Sequence, residues 1–124
     1  LQVRFNADSG TNYTHAGQEF IGASAYSANN QTATGADLET EIQTGQMSGA
    51  AGSYFQAGMM VYGCNSSGIK VYQSMGGGTP QASNGQRSFS YTGKYIVTST
   101  ISSVSVISSS GNFDAGDVYV YGSA

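Results

Sequence analysis

Few residues in this chain could carry nucleophilic or acid–base chemistry. His15 is the only histidine and Cys64 the only cysteine among 124 residues. A serine triad would need His15 to meet a serine and a carboxylate, and the polar sequence around His15 has no nucleophile signature. Cys64 follows Gly63 at the end of an apolar stretch, where a small buried side chain is more common than a nucleophile. The sequence therefore predicts no catalytic residue.

Carboxylates offer a second kind of chemistry, as an acid–base pair or as metal ligands. Glu39 and Glu41 would share one strand face, but too little apolar sequence flanks them to raise a pKa, so a solvated face is favoured over a glycosidase pair. One cysteine and one histidine cannot supply the usual four zinc ligands. Asp8, Asp114 and Asp117 lie in turn-like sequence whose spacing matches no calcium loop, which favours turn capping. No metal and no cofactor is predicted.

The low positive charge and the lack of long apolar runs bear on whether nucleic acid or a membrane is a partner. The only Lys and Arg residues are Arg4, Lys70, Arg87 and Lys94, and the formal net charge is −3, so the chain has no basic footprint for nucleic acid. The glycines at 76–78 lack the Lys and Ser or Thr of a phosphate loop, which makes them a flexible connector. No apolar run approaches the ~18 residues of a membrane helix. Neither nucleic acid nor a membrane is a predicted partner.

Tyrosine is the one overused residue with binding potential. Tyr119 and Tyr121 would share one face of a last strand, with Val118 and Val120 on the other. Exposed tyrosines suit a subunit interface or the stacking of a sugar, because each gives a large rigid area with a polar tip. The chain has no Trp, which favours the interface. Tyr119 and Tyr121 are the predicted interface residues, with a cell-surface glycan as the alternative ligand.

The elements that position these residues are predicted to be β-strands in a single domain spanning 1–124. Only 9% of residues are charged, Leu occurs twice, and β-branched and aromatic residues supply most large apolar side chains. About eight short strands at roughly ten-residue spacing predict an antiparallel β-sandwich or jelly roll. A parallel β-helix is the alternative, although no regular rung period is present. Because the chain opens at Leu1 in what reads as mid-strand, we expect upstream sequence.

Particular segments carry more specific predictions. Residues 54–62 are the most apolar stretch and are predicted to form a central strand, while residues 22–35 read as a surface loop. A flexible excursion is expected from Gly76 onward, and a turn at Thr92-Gly93. Residues 118–121 are predicted to form a strand that closes the domain.

Two stretches resemble motifs of tailed-phage virion proteins. The opening Leu1-Gln2-Val3-Arg4-Phe5-Asn6-x-Asp8-Ser9-Gly10-x-Asn12-Tyr13 is similar to a hydrophobic-x-hydrophobic-Arg-Phe-x-x-Asp-Ser-Gly-x-x-Tyr motif. The close, from Ile101 through Gly122, resembles a shared ending in which an Ile-rich strand leads to Ser-Gly-Asn-Phe and a Tyr-Gly strand. Asp117 stands where many relatives carry Thr, and the stretch between the two motifs is only generically similar.

The resemblance implies a non-enzymatic β-sandwich module on the virion exterior, as a capsid decoration or cement protein. Its motifs then act as folding determinants: Asp8, Gly10, Gly116 and Gly122 in turns, with Phe113 joining Phe5 as core anchors. Its partners would be further copies of itself, as a trimer, and the major capsid or tail proteins. The alternative is a tail-fibre module that binds a receptor or carbohydrate, and a depolymerase is a third, weaker hypothesis.

Overall fold

The fold is all-β and antiparallel. A computed structural model of the chain describes residues 1–23, 25–32, 42–43, 54–79, 86–108, 111–113 and 115–122. The strands are β1 (Gln2–Phe5), β2 (Tyr13–Ala23), β3 (Ala25–Thr32), β4 (Ile42–Gln43), β5 (Tyr54–Tyr62), β6 (Lys70–Thr79), β7 (Gln86–Tyr95) and β8 (Val104–Ile107). They form a three-stranded sheet ordered β4-β1-β8 and a five-stranded sheet ordered β3-β2-β7-β6-β5. Every described pairing is antiparallel, so the parallel β-helix is not the arrangement of these strands.

The alternation of side chains gives the larger sheet two distinct faces. Along β6, Lys70, Tyr72 and Ser74 are buried while the residues between them are exposed. Facing positions on β7 are Tyr95 and Tyr91, which pair with Lys70 and Ser74 respectively. We call the face that carries these five residues the inner face, and the opposite one the outer face.

The smaller sheet covers one end of the inner face, and the core lies between them. Val3 and Phe5 of β1 cluster with Tyr13, Tyr72 and Tyr95, and all five are buried. The ring of Phe5 meets Tyr95 edge-on at 5.5 Å between centroids, and Tyr13 stacks on Tyr95 at 4.9 Å. Such pairs contribute about 0.5–1.5 kcal/mol beyond the area they bury.

Most of this core is tyrosine, and each hydroxyl reaches a polar partner at its rim. The Tyr72 hydroxyl donates to the Thr14 carbonyl at 2.7 Å, and the Tyr13 hydroxyl accepts the Phe5 N–H at 3.0 Å. The Tyr95 hydroxyl donates to the Asp8 carboxylate at 3.0 Å. Burial raises the pKa of Tyr72, because a phenolate would lose its hydration there.

Two predicted breaks in the strands are wrong, because glycine does not interrupt the larger sheet at either place. β7 runs straight through Thr92-Gly93, and β6 continues through the glycines at 76–78 to Thr79.

Two other strand predictions are also wrong. β3 occupies much of the expected loop at 22–35. β5 pairs only with β6 among the described strands, so the most apolar stretch forms an edge strand and not a central one.

Some of the strands predicted from the sequence are not among those that form. Residues 118–121 form no strand and join neither described sheet. The predicted strand around Leu38 to Ile42 is described only from Ile42, as β4, and residues 38–41 lie outside the described part. The domain is not closed by the segment that was expected to close it.

A buried lysine fixes the connection that leaves β7. The ammonium of Lys70, which is fully buried, donates to the carbonyls of Val97 and Ser99. We expect Lys70→Met to lower the free energy of unfolding by about 2–3 kcal/mol, because two carbonyls lose a charged donor while the side-chain volume is kept. Urea unfolding at fixed protein concentration measures this loss. Lys94→Met, at an exposed position of β7, is the matched control, and equal effects of both variants would contradict the role of Lys70.

Candidate interaction surface

The opening motif builds a turn around Asp8. Its carboxylate accepts the Gly10 N–H at 2.8 Å, the Asn12 side-chain amide at 2.8 Å and the Tyr95 hydroxyl at 3.0 Å. A Cβ on Gly10 would lie 2.8 Å from Asn12 Nδ2 and 3.0 Å from Asp8 Oδ1, so a larger residue would displace these two side chains from the hydrogen bonds that hold the turn. These contacts make Asp8 and Gly10 structural residues that cap the turn.

Asn6 joins the same turn to the connection before β8. Its side-chain oxygen accepts the N–H of Ser102 at 2.8 Å and of Ser103 at 3.3 Å, and its amide donates to the Thr100 carbonyl at 2.8 Å. Asn6 and Ala7 both have φ of 54°, a conformation in which Asn is favoured and Ala is not. Asn6 belongs to the opening motif, but its hydrogen bonds to residues 100–103, which lie nearly a hundred positions further along the chain, are seen only in the structure.

The Asp8 contacts predict a specific acid sensitivity. Burial alone would raise the pKa of Asp8, but the hydrogen bonds from Gly10, Asn12 and Tyr95 and the charge of Arg4 outweigh it and leave the pKa below the usual 3.8. The unfolded chain therefore binds a proton that the folded chain does not, and this contribution to stability is full above pH 3.8 and is lost as pH falls through the lower, folded pKa.

We expect the free energy of unfolding to fall steeply with pH in that acid range and the fall to be shallower in Asp8→Asn. Chemical unfolding at a series of pH values measures both slopes. Asn12→Ala, which removes one of the donors, should give an intermediate slope. An Asp8→Asn curve parallel to that of the wild type would contradict the assignment.

The tail segment, residues 115–122, is the most exposed apolar sequence in the described chain. Val118 and Val120 are exposed, and so are Tyr119 at 73% and Tyr121 at 88%. None of residues 115–122 belongs to a strand, and Gly116 turns the chain with a φ of 134°. The predicted interface residues are thus solvent-exposed in the single chain.

Two other motif residues are Phe113, just before this segment, and Gly122, at its end. Phe113 is 49% exposed, so it does not anchor the described core as Phe5 does. Gly122 has open space where a side chain would stand, so no close contact requires glycine at this position.

The outer face of the larger sheet carries an apolar patch at its β5–β6 end. Met60, Tyr62, Val71 and Met75 are all exposed and lie close together on this face, whereas the exposed Tyr54 lies on the same face six residues before Met60. The Tyr62 hydroxyl lies 3.2 Å from the Met60 sulfur, which holds the two side chains together along the edge strand. Contiguous exposed apolar surface of this kind marks sites of contact with another molecule. Residues 54–62 are predicted to form a central strand, whereas this patch lies on an edge strand and its neighbour.

A shallow depression of about 280 Å³ adjoins this patch on the outer face, since its lining residue Gln73 pairs with Met60. Its lining includes Gln18 and Gln73, the hydroxyl side chains of Ser90 and Thr92, and Phe20. A depression lined by amides, hydroxyls and aromatic side chains has the groups that can bind a sugar.

The inner face holds a buried polar cluster beyond the core. Glu19 is 2% exposed and lies 3.4 Å from Arg87 through Oε1 and Nη1, while His15 meets Tyr91 edge-on at 5.7 Å between centroids. Burial and the charge of Glu19 both raise the pKa of Tyr91. A buried carboxylate paired with arginine is a structural feature in the first instance, since either ion alone would be costly to bury.

This cluster does not assemble a nucleophile and its base. Ser74 is fully buried, but it is aligned with Tyr91, whereas His15 is aligned with Gly93. β7 separates the two strands, which puts the backbones of Ser74 and His15 about 10 Å apart or more. A serine–histidine pair is therefore not formed here.

The remaining candidate residues add no further site in the described chain. Cys64 is half-buried, and its thiol points to the Val61 carbonyl at 3.7 Å. Glu39, Glu41 and Asp114 lie outside the described residues. Among the residues that are described, no group of three or more His, Cys, Asp and Glu side chains is placed to hold a metal ion, and no helix is long and apolar enough to cross a membrane.

Comparisons of the chain with protein-family models, with curated proteins and with solved structures gave no match.

Proposed function

We propose that this chain is a non-enzymatic structural module of the exterior of a tailed-phage virion, which works by binding neighbouring subunits. The observation that carries the proposal is the exposure of Val118, Tyr119, Val120 and Tyr121 outside both described sheets. Four consecutive large apolar residues left in water by the single chain form a surface suited to contact with protein.

The roles of the motif residues support a structural function. Asp8, Gly10 and Asn6 use their polar groups to hold a turn, and Phe5 fills the core. The resemblance of both motifs to virion proteins then favours a capsid decoration or cement protein with a β-sandwich or jelly-roll arrangement, in which the smaller sheet packs on the larger through that core. Assembly as a trimer, together with contacts to major capsid or tail proteins, fits such a surface.

The proposal is tested on purified virions of the phage that encodes the chain. Antibodies raised against the folded chain are expected to label the outside of intact particles in negative-stain electron microscopy, and mass spectrometry should find many copies per particle. A chain found only in the soluble fraction of the lysate, and never in particles, would overturn the proposal.

The second candidate is a tail-fibre module that binds a cell-surface glycan, and the depression on the outer face favours it. Gln18, Gln73 and Thr92 contribute amides and a hydroxyl to the lining of a depression that Phe20 also lines. A glycan array tests it: binding by the wild type that Gln73→Ala abolishes would establish this function. Unchanged binding by that variant, or none by the wild type, would count against it.

A further inference from the structure

The β5 edge of the larger sheet, which no described strand covers, has properties that most exposed edges avoid. β5 is nine residues long and is the terminal strand in the described sheet order. It contains no charged residue and no proline. Edge strands in proteins that stay monomeric are commonly short, charged or interrupted, because a row of unpaired N–H and C=O groups recruits another strand. The edge of β5 therefore suits the addition of a strand.

Both faces of this edge are apolar near its end. Met60 and Tyr62 are exposed on the outer face, and Met59 and Val61 are half-buried on the inner face. A strand added beside β5 would have to offer apolar side chains in two directions. An ordinary half-buried strand offers them in only one.

The tail segment has that uncommon pattern. When extended, it places Val118 and Val120 on one side and Tyr119 and Tyr121 on the other. In its own chain it joins neither described sheet, and all four side chains stand in water. Its one described carboxylate, Asp117, meets no charge on β5, so no like-charge repulsion opposes pairing.

We propose that the tail segment of one copy adds as a strand to the β5 edge of a second copy. This inference rests on the proposed function, since it names the partner and the mode of the subunit contact. The short β8 strand suits the segment less well, because it has only four residues and alternates Ser105 with valines. Each copy then donates its own tail segment to one neighbour and accepts the tail segment of another, which is a heterologous contact. Such a contact closes into a ring, such as a trimer, when the rotation between neighbouring copies allows it.

A mixing experiment with two full-length variants tests the exchange. Met60→Lys places a charge on the β5 edge and leaves the tail segment unchanged. The double variant Val118→Asp, Val120→Asp places charges on the tail segment and leaves the β5 edge unchanged. All three positions are exposed, so the fold does not depend on them. In analytical ultracentrifugation the wild type should sediment as an oligomer of the 12.8-kDa chain and each variant alone as a monomer. A mixture of the two variants should form a one-to-one dimer, because one complete tail–edge pair remains.

Met75→Lys is the matched control for the edge. Met75 is 53% exposed and Met60 57%, and both lie on the outer face, but Met75 is one strand further in. We expect Met75→Lys to keep the oligomer and Met60→Lys to weaken association by at least about tenfold. Equal loss in both variants would assign the contact to the face of the sheet and overturn strand addition.

The other outcomes separate this inference from the proposed function. A wild-type oligomer that both variants leave intact overturns the exchange, as does a mixture that stays monomeric or a wild type that is monomeric throughout the micromolar range. A disulfide formed within one chain between Val120→Cys and Ser105→Cys, in a Cys64→Ser background, would place the tail on its own β8 and also overturn it. None of these results affects the labelling of virions, on which the proposed function stands or falls.

Discussion

Replacing Phe5 by alanine is expected to lower the free energy of unfolding by about 3–5 kcal/mol, the cost of removing a buried aromatic side chain. Phe5 has no exposed surface, and its ring packs against both Tyr13 and Tyr95. The loss would remove much of the ~5–15 kcal/mol that stabilises an ordinary domain. Urea unfolding followed by tyrosine fluorescence, at one protein concentration, measures it.

Phe113→Ala is the matched control, because both phenylalanines belong to the motifs that resemble virion proteins. Phe113 is 49% exposed in the single chain, so its removal should cost well under 1 kcal/mol. Equal and large losses in the two variants would show that Phe113 is buried in the folded protein. That result would contradict the arrangement of the segment described here.

Replacing Gly93 by alanine is expected to cost about 3 kcal/mol or to prevent folding, because the added methyl group has nowhere to go. A Cβ on Gly93 would overlap the Thr14 carbonyl oxygen and come within 2.5 Å of Tyr72 Cζ. The Tyr72 hydroxyl crosses over Gly93 to donate to that same carbonyl, so the ring cannot retreat without losing its hydrogen bond. Chemical unfolding measures the loss, and the yield of soluble protein reports a failure to fold.

Gly58→Ala separates this steric effect from the general cost of changing a strand glycine. Gly58 also lies in the larger sheet, but a Cβ there would meet nothing within 4 Å. This variant should match the wild type or exceed its stability slightly, since alanine restricts the unfolded chain. If both glycine variants are equally stable, the close approach of Tyr72 over Gly93 is not present.

The sequence predicts the class of fold because its composition leaves little alternative. Residues 1–5, which read as part of a strand, do contain β1, since period-two patterns survive wherever one sheet face is buried. Glycine misled the prediction of boundaries. Gly93 reads as a turn from sequence alone, yet it is glycine because a tyrosine from the neighbouring strand passes over it.

The site was predictable in part. The alternation of residues 118–121 predicts that Tyr119 and Tyr121 share one exposed face, and both are exposed, although the strand expected to carry them is not formed in the single chain. The edge strand β5 could not be found from sequence, because apolar runs read alike whether a strand is buried or open on one side. The buried pairing of Glu19 with Arg87 depends on a register across 68 residues, which local patterns do not encode.

The central claim is that this chain works by contact with neighbouring subunits on a virion, and a cryo-EM reconstruction of the intact particle tests it most directly. We expect density for the chain on the exterior, with Tyr119 and Tyr121 covered by a neighbouring subunit. Density at the tip of a tail appendage with both tyrosines exposed, or no density for the chain in the particle, would contradict it.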